Sequence, residues 1–259
     1  MTTPFREILR GGCLLVACTA PLIGCGENAG QSDGVGGIGG DAAEMVSHFL
    51  QVRELPIFTD IVPIEGARVC VLGAVDCVTT DAEGLVELRF PRDQEVAFTV
   101  ETEGYGSWVF ANVTDDRFPE EGTAEMTTVE ALSEIADQLG ITYPWKQGMV
   151  GLQRWPSRAG VRFVPVGSTV DAVGEPFYFD ASTMGYSLEL GATTDFVATP
   201  YFQLASGGFT EVAPGVQQFE LAGAAGECAS SWAWPGDAPN RIRIPVLEGF
   251  TTYGSMICD

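Results

Sequence analysis

Lysine and histidine are all but missing from this chain: Lys146 and His48 are the single representatives of their types. That scarcity removes multi-histidine metal sites and leaves lysine chemistry one candidate. Positive charge is scarce altogether, with 13 Lys plus Arg against 35 Asp plus Glu and a formal charge of -22. Such a surface repels phosphate backbones and anionic headgroups, so nucleic acid is not an expected partner. Catalytic signatures are missing as well. There is no Gly-x-Ser-x-Gly elbow, no Cys-x-x-Cys spacing and no Gly-rich loop between a strand and a helix. A Ser-His-Asp arrangement would have to use His48, which reads as lying beside a glycine-rich tether. The chain is therefore expected not to be an enzyme, with no catalytic residue, cofactor or metal site assigned.

Long apolar runs are also lacking. The longest near the N-terminus, Gly11 to Gly24 with Leu14, Leu15, Val16, Leu22 and Ile23, falls short of the roughly 20 residues that cross a bilayer. Preceded by Arg6 and Arg10, it has the n-region and h-region of a secretory signal over residues 1–24. The segment Leu22-Ile23-Gly24-Cys25 resembles the lipobox of bacterial lipoproteins. That resemblance implies an acylated Cys25 as first mature residue, a membrane partner reached through lipid and, with Gly26 following, sorting to the outer membrane or surface. A second match at Leu15-Val16-Ala17-Cys18 leaves a shorter h-region. Seven glycines between Gly26 and Asp41 make residues 25–45 a flexible tether, with a reach of roughly 20–25 Å.

What the chain does have is core material and export chemistry. Hydrophobic residues make up 46% of it, with 15 Phe and 5 Trp, enough for a folded body. Beyond Cys25 the mature chain keeps Cys70, Cys77, Cys228 and Cys258. An even number in an exported chain reads as disulfides. Of three possible connectivities, Cys70–Cys77 with Cys228–Cys258 keeps each bridge within one half of the chain.

Alternation predicts strands. Ala67, Val69 and Val71 share one face; Val86, Leu88 and Phe90 share another; Val96, Phe98 and Val100 repeat the pattern after a turn at Pro91 and Asp93. The segment from Pro63 to Tyr105 resembles a carboxypeptidase regulatory-like domain, a prealbumin-type β-sandwich, through Gly66-Ala67-x-Val69, the Thr80-Asp81-Ala82-Glu83-Gly84 turn and Glu103-Gly104-Tyr105. The resemblance implies a non-catalytic accessory module over residues 46–122. Asp81 reads as a turn residue rather than a calcium ligand.

Over residues 123–147 the period changes. Val129, Leu132, Ile135, Ala136 and Leu139 share a helical face, Thr127 with Glu130 forms a capping box, and Gly140 supplies the stop. Residues 148–259 return to β patterning, with strands expected at Gly160–Val164, Pro176–Phe179, Phe196–Leu204 and Arg241–Val246, and a Pro214-Gly215 turn between two more. The fold class expected is mainly β: two consecutive prealbumin/Ig-like β-sandwiches joined by a short amphipathic helix, after a signal peptide and flexible tether.

Two features invite a ligand. Trp232 and Trp234 stand two apart, which a regular strand would point to one face; with Tyr253 they either form a sugar-stacking platform or pack beneath the Cys228–Cys258 bridge, the use to which large aromatics are mostly put. Asp115-Asp116 with Glu120-Glu121 is the densest acidic loop, and reads as a solvated one. The function expected is that of a non-enzymatic cell-envelope lipoprotein, a binding or structural module with an envelope protein or glycan as partner. The alternative is a carbohydrate-binding or calcium-dependent carbohydrate-active accessory protein.

Overall fold

A computed structural model describes residues 44–54, 62–155, 161–180, 185–188, 207–223 and 226–259. The signal segment, Cys25, nearly all of the tether and the strand expected at Phe196–Leu204 lie outside the described residues.

Seven strands precede the helix: β1 (Met45–Glu54), β2 (Arg68–Val71), β3 (Cys77–Thr79), β4 (Leu85–Pro91), β5 (Glu95–Glu101), β6 (Trp108–Val113) and β7 (Glu121–Met126). Helix α1 (Val129–Leu139) follows. Then come β8 (Gly148–Trp155), β9 (Arg162–Pro165), β10 (Pro176–Asp180), β11 (Gly185–Ser187), β12 (Gly207–Val212) and β13 (Gly215–Ala222). The chain ends with β14 (Cys228–Trp232), β15 (Trp234–Pro235), β16 (Arg241–Val246) and β17 (Thr251–Cys258).

The alternation seen in sequence is the alternation of burial. In β4 it is Val86, Leu88 and Phe90 that are buried, with Leu85, Glu87 and Arg89 exposed. The turn before β4 is a side-chain turn, as expected. Asp81 Oδ1 accepts from the amides of Glu83 and Leu85, and Thr80 Oγ1 accepts from Ala67 N while donating to Ile64 O. Gly84 completes that turn at a φ of +72°, where a Cβ would lie 2.4 Å from the carbonyl oxygen of Val52.

The strands form three sheets. A three-stranded sheet has the order β4-β1-β7, and a four-stranded one β15-β16-β13-β9. The large sheet runs β11-β10-β12-β8-β17-β6-β5-β2-β3, with β14 on the flank of β17. Two consecutive sandwiches would each own both of their sheets, whereas here one sheet serves both halves. The join is the last strand, which pairs in parallel with β6 from the first half and β8 from the second. Residues Ala42 to Asp259 accordingly form one compact unit.

Two cores follow from this layout. Leu50, Val52, Val69, Leu88, Phe90, Phe98, Phe110 and Met126 fill the space between the three-stranded sheet and the β6-β5-β2 part of the large one. Val150, Leu152, Phe209, Phe219, Ile242, Ile244 and Met256 fill the space between the four-stranded sheet and β12-β8-β17. Because side chains alternate along β17, the second core takes Met256 and Cys258, whereas Tyr253 packs toward the first. The two small sheets therefore cover opposite faces of the large one.

Helix α1 forms as its period predicts, burying Leu132, Ala136 and Leu139 against Trp145, Met149 and Phe177. Gly140 ends it in the left-handed conformation with φ 67°. The cap is displaced by one residue from the expected capping box: Thr128, not Thr127, accepts from Ala131 N. Thr127 is still extended chain, its carbonyl accepting from Gly106 N. Among the described residues no helix is long and apolar enough to cross a membrane.

Candidate functional site

The shared sheet leaves a gap on one face. At one end that face is covered by β7 and its sheet, at the other by α1, and between them lies a cleft of about 320 Å³. Strand register builds its floor. Thr251 is the parallel partner of both Trp108 and Met149, and Ile257 that of Trp155. Alternation then brings Thr251, Tyr253, Ser255 and Ile257 into the cleft beside Trp108, Phe110, Met149 and Trp155. The walls are Thr123 and Glu125 of β7, Leu132 and Ile135 of α1, Phe177 and Tyr186 from the far strands, and Trp232 at the end of β14.

Most polar groups in this lining are already engaged. Glu125 Oε1 accepts from Arg53 Nη2 at 2.5 Å, a pair that is largely buried. The Tyr253 hydroxyl donates to Gln153 Oε1, Ser255 Oγ accepts from Trp232 N at 3.1 Å, and Thr251 Oγ1 accepts from Trp145 Nε1 at 3.0 Å. Burial pushes the phenols of Tyr253 and Tyr186 well above the usual tyrosine range, so both remain neutral groups. Two lining residues differ. Trp108 Nε1 and Thr127 Oγ1 are buried polar atoms with no partner in the protein, on side chains that are 8% and 4% exposed. Each such group costs the fold about 1–3 kcal/mol.

The lining carries few ionisable groups. Its described residues hold one carboxylate, closed by Arg53, and no histidine or cysteine. Neither a nucleophile with an adjacent base nor a pair of carboxylates is assembled there. The acidic loop is tied down by arginines instead: Asp115 pairs with Arg117 and Asp116 with Arg92. The Arg117 hydrogen bond is the main cause holding the Asp115 carboxyl below its ordinary range.

Of the three aromatic residues read either as a platform or as packing, the structure brings two together. Trp232 and Tyr253 line the cleft, and Trp232 packs edge-on to Phe110 with ring centres 5.8 Å apart. Trp234 is a correction. β14 shifts register between Ser230 and Trp232, Ala233 is buried, and the chain then changes sheets so that Trp234 pairs with Arg243 of β16. Its indole donates to Val96 O at 3.0 Å and lies under the Arg243 guanidinium. The exposed three-ring platform does not form.

The expected disulfides are both present, Cys70–Cys77 and Cys228–Cys258. Each links residues that are direct cross-strand partners.

His48, read as lying beside the tether, sits inside β1, which begins at Met45, and is fully buried, its ring 4.9 Å from Phe118 and 6.4 Å from Trp232. Nδ1 is 2.7 Å from Pro119 O, which fixes the proton on that nitrogen, while Nε2 has no partner. Desolvation lowers its pKa, outweighing the opposing Pro119 hydrogen bond. A folded-state pKa below the unfolded value gives stability that is present above about pH 6.5 and lost as the pH falls through the folded value. Urea unfolding between pH 7.5 and 5.5 is expected to show wild type losing up to about 1.4 kcal/mol per pH unit below 6.5. His48→Gln should flatten that slope, and an equal slope in the variant would refute the assignment.

No family model matches the chain, and no curated protein does. Among solved structures it is similar to the shaft pilin SpaA of Lactobacillus rhamnosus GG, at 9% identity over 83% of this chain and 98% of that one, with a TM-score of 0.26. It is similar also to a streptococcal ancillary pilin, at 10% identity over 83% of this chain and 62% of that one, TM-score 0.26. The TIE protein of Bacillus anthracis matches at 9% identity over 83% of this chain and 34% of that one, TM-score 0.27. The chain thus spans about a third of the length of the TIE protein. At such TM-scores these likenesses carry no argument about function.

Proposed function

We propose that this protein is a non-enzymatic binding module of the cell envelope, exported, anchored through Cys25, and taking its ligand in the cleft beside α1. One observation carries the reading: aromatic side chains from both halves of the chain converge on a mostly apolar cleft of about 320 Å³. A purely structural spacer gains nothing from such a gap, since empty space costs stability. Two disulfides and the Leu22-Ile23-Gly24-Cys25 segment support export and anchoring.

The test is a thermal-unfolding screen of the full chain and its Trp232→Ala variant against a diverse small-molecule library. A ligand at a hundred times its Kd stabilises the fold by about 2.7 kcal/mol. Compounds are expected to raise the Tm of wild type and to leave the variant unmoved. Equal shifts in both proteins would move the site elsewhere, and no shift in either would contradict the binding reading. For the anchor, Cys25→Ser should transfer the protein from the membrane fraction to the soluble one; retention in the membrane would contradict it.

A further inference from the structure

We propose that an extended segment of a partner protein adds as a fourth strand to the open edge of β7, laying alternate apolar side chains on the aromatic floor of the cleft. The inference rests on the reading of the protein as a binding module and names the class of what is bound.

The backbone selects that class. Phe49 N donates to Glu120 O, so by the two-residue period of a strand the even residues of β7 turn their amide and carbonyl groups toward β1. Those of Glu121, Thr123 and Glu125 turn the other way, to an edge that no strand among the described residues pairs. That edge borders the cleft: Thr123, Glu125 and Thr127 line it, whereas Gly122, Ala124 and Met126 do not. One step further along, the same edge is already in use. Gly106 N donates to Thr127 O and Tyr105 forms an antiparallel bridge with Thr128, after which the chain departs into β6. An incoming strand continues the antiparallel line that Tyr105 and Gly106 begin. A row of free amides and carbonyls at strand spacing is matched by the main chain of an extended polypeptide.

The surroundings of the edge favour the same occupant. Other outermost strands of the sheets are blunted: β3, β11 and β15 have three residues or fewer, and β4 and β9 end in Pro91 and Pro165. β7 has six residues and no proline. Trp232 and Tyr253, which line the cleft, already pack against the first core, so apolar side chains on alternate residues of the added strand extend that core over them. Glu121 is exposed at the start of β7, where a Lys or Arg on the incoming strand makes a cross-strand ion pair and suits a chain of formal charge -22.

Calorimetric titration of the full chain with acetylated, amidated pentapeptides of the pattern Thr-X-Thr-X-Lys tests this, with Val, Leu, Phe and Tyr in all combinations at X. In the antiparallel register the first, third and fifth peptide residues exchange hydrogen bonds with Glu125, Thr123 and Glu121, and the side chains at X face the cleft. N-methylation of the third residue in the tightest peptide removes a ladder donor and is expected to weaken binding about tenfold or more. N-methylation of the fourth, whose amide points away from β7, should change it by less than about threefold. Thr123→Pro removes an edge donor without touching the β1 ladder and should abolish binding; where that variant fails to fold, the two methylated peptides decide alone. Trp232→Ala should weaken binding too. Equal effects of the two methylations, or affinity unchanged in Trp232→Ala, would overturn strand addition while leaving a binding module in place. Failure of every peptide alongside library compounds that stabilise wild type but not Trp232→Ala would also overturn strand addition alone. Self-association of the chain that the peptide disperses would make a second copy the occupant and overturn the foreign segment. Failure of peptides and library together would overturn the binding reading as well.

Discussion

Gly208→Ala is expected to destabilise the chain by roughly 3 kcal/mol, the upper end of what overpacking costs. Gly208 lies in β12 opposite Gly151 of β8, where the backbone of one strand meets the ring of a residue on the next. A Cβ there would stand 1.9 Å from the carbonyl oxygen of Val150 and 2.6 Å from Cζ of Phe177. The carbonyl belongs to a ladder that cannot yield without breaking pairs, and Phe177 is a fully packed wall of the cleft. Urea unfolding should show the midpoint falling at an unchanged m-value. A loss under about 1 kcal/mol would mean that the strands are not as close as described.

Loss of the Cys228–Cys258 bridge carries the other large effect. The chain-entropy relation gives about 3.7 kcal/mol for a loop closed over 30 residues, against about 2.4 kcal/mol for the 7-residue separation of Cys70 and Cys77. The long bridge also joins the strand bearing Trp232 to the strand bearing Tyr253. The Cys228→Ser/Cys258→Ser protein should therefore lose more stability than Cys70→Ser/Cys77→Ser and also lose affinity for any probe whose binding Trp232→Ala abolishes, which the other pair should retain. The reverse ranking, or equal probe affinity in both, would separate the bridge from the cleft.

Sequence patterning revealed the strands whose environment is local and regular. β4 follows its alternation almost to the residue, β5, β10 and β16 form where strands were expected, and the two bridges follow from keeping partners near in sequence. β1 escaped notice because His48 and Ser47 interrupt its apolar pattern directly after a glycine-rich stretch, although His48 is a core residue. Half of the cleft was visible in Trp232 and Tyr253. The rest was not, since Trp108, Trp155 and Phe177 come together only through a last strand laid in parallel between two others, a pairing that no local signal encodes. Trp234 misled for a related reason. The two-residue rule presumes an unbroken strand, and here the chain leaves one sheet for another between the two tryptophans.

The most direct test of the cleft as a binding site is a nitrogen-edited NMR spectrum of the five indole N–H groups, recorded while a compound that raises the Tm of wild type but not of Trp232→Ala is added as probe. The resonances of Trp108, Trp155 and Trp232, whose residues line the cleft, should shift with ring contact. Trp234, already bonded to Val96 O outside the cleft, should stay still. Movement of Trp234 with Trp108 unmoved, or five unmoved resonances at saturating probe, would contradict the assignment of this cleft as the site of binding.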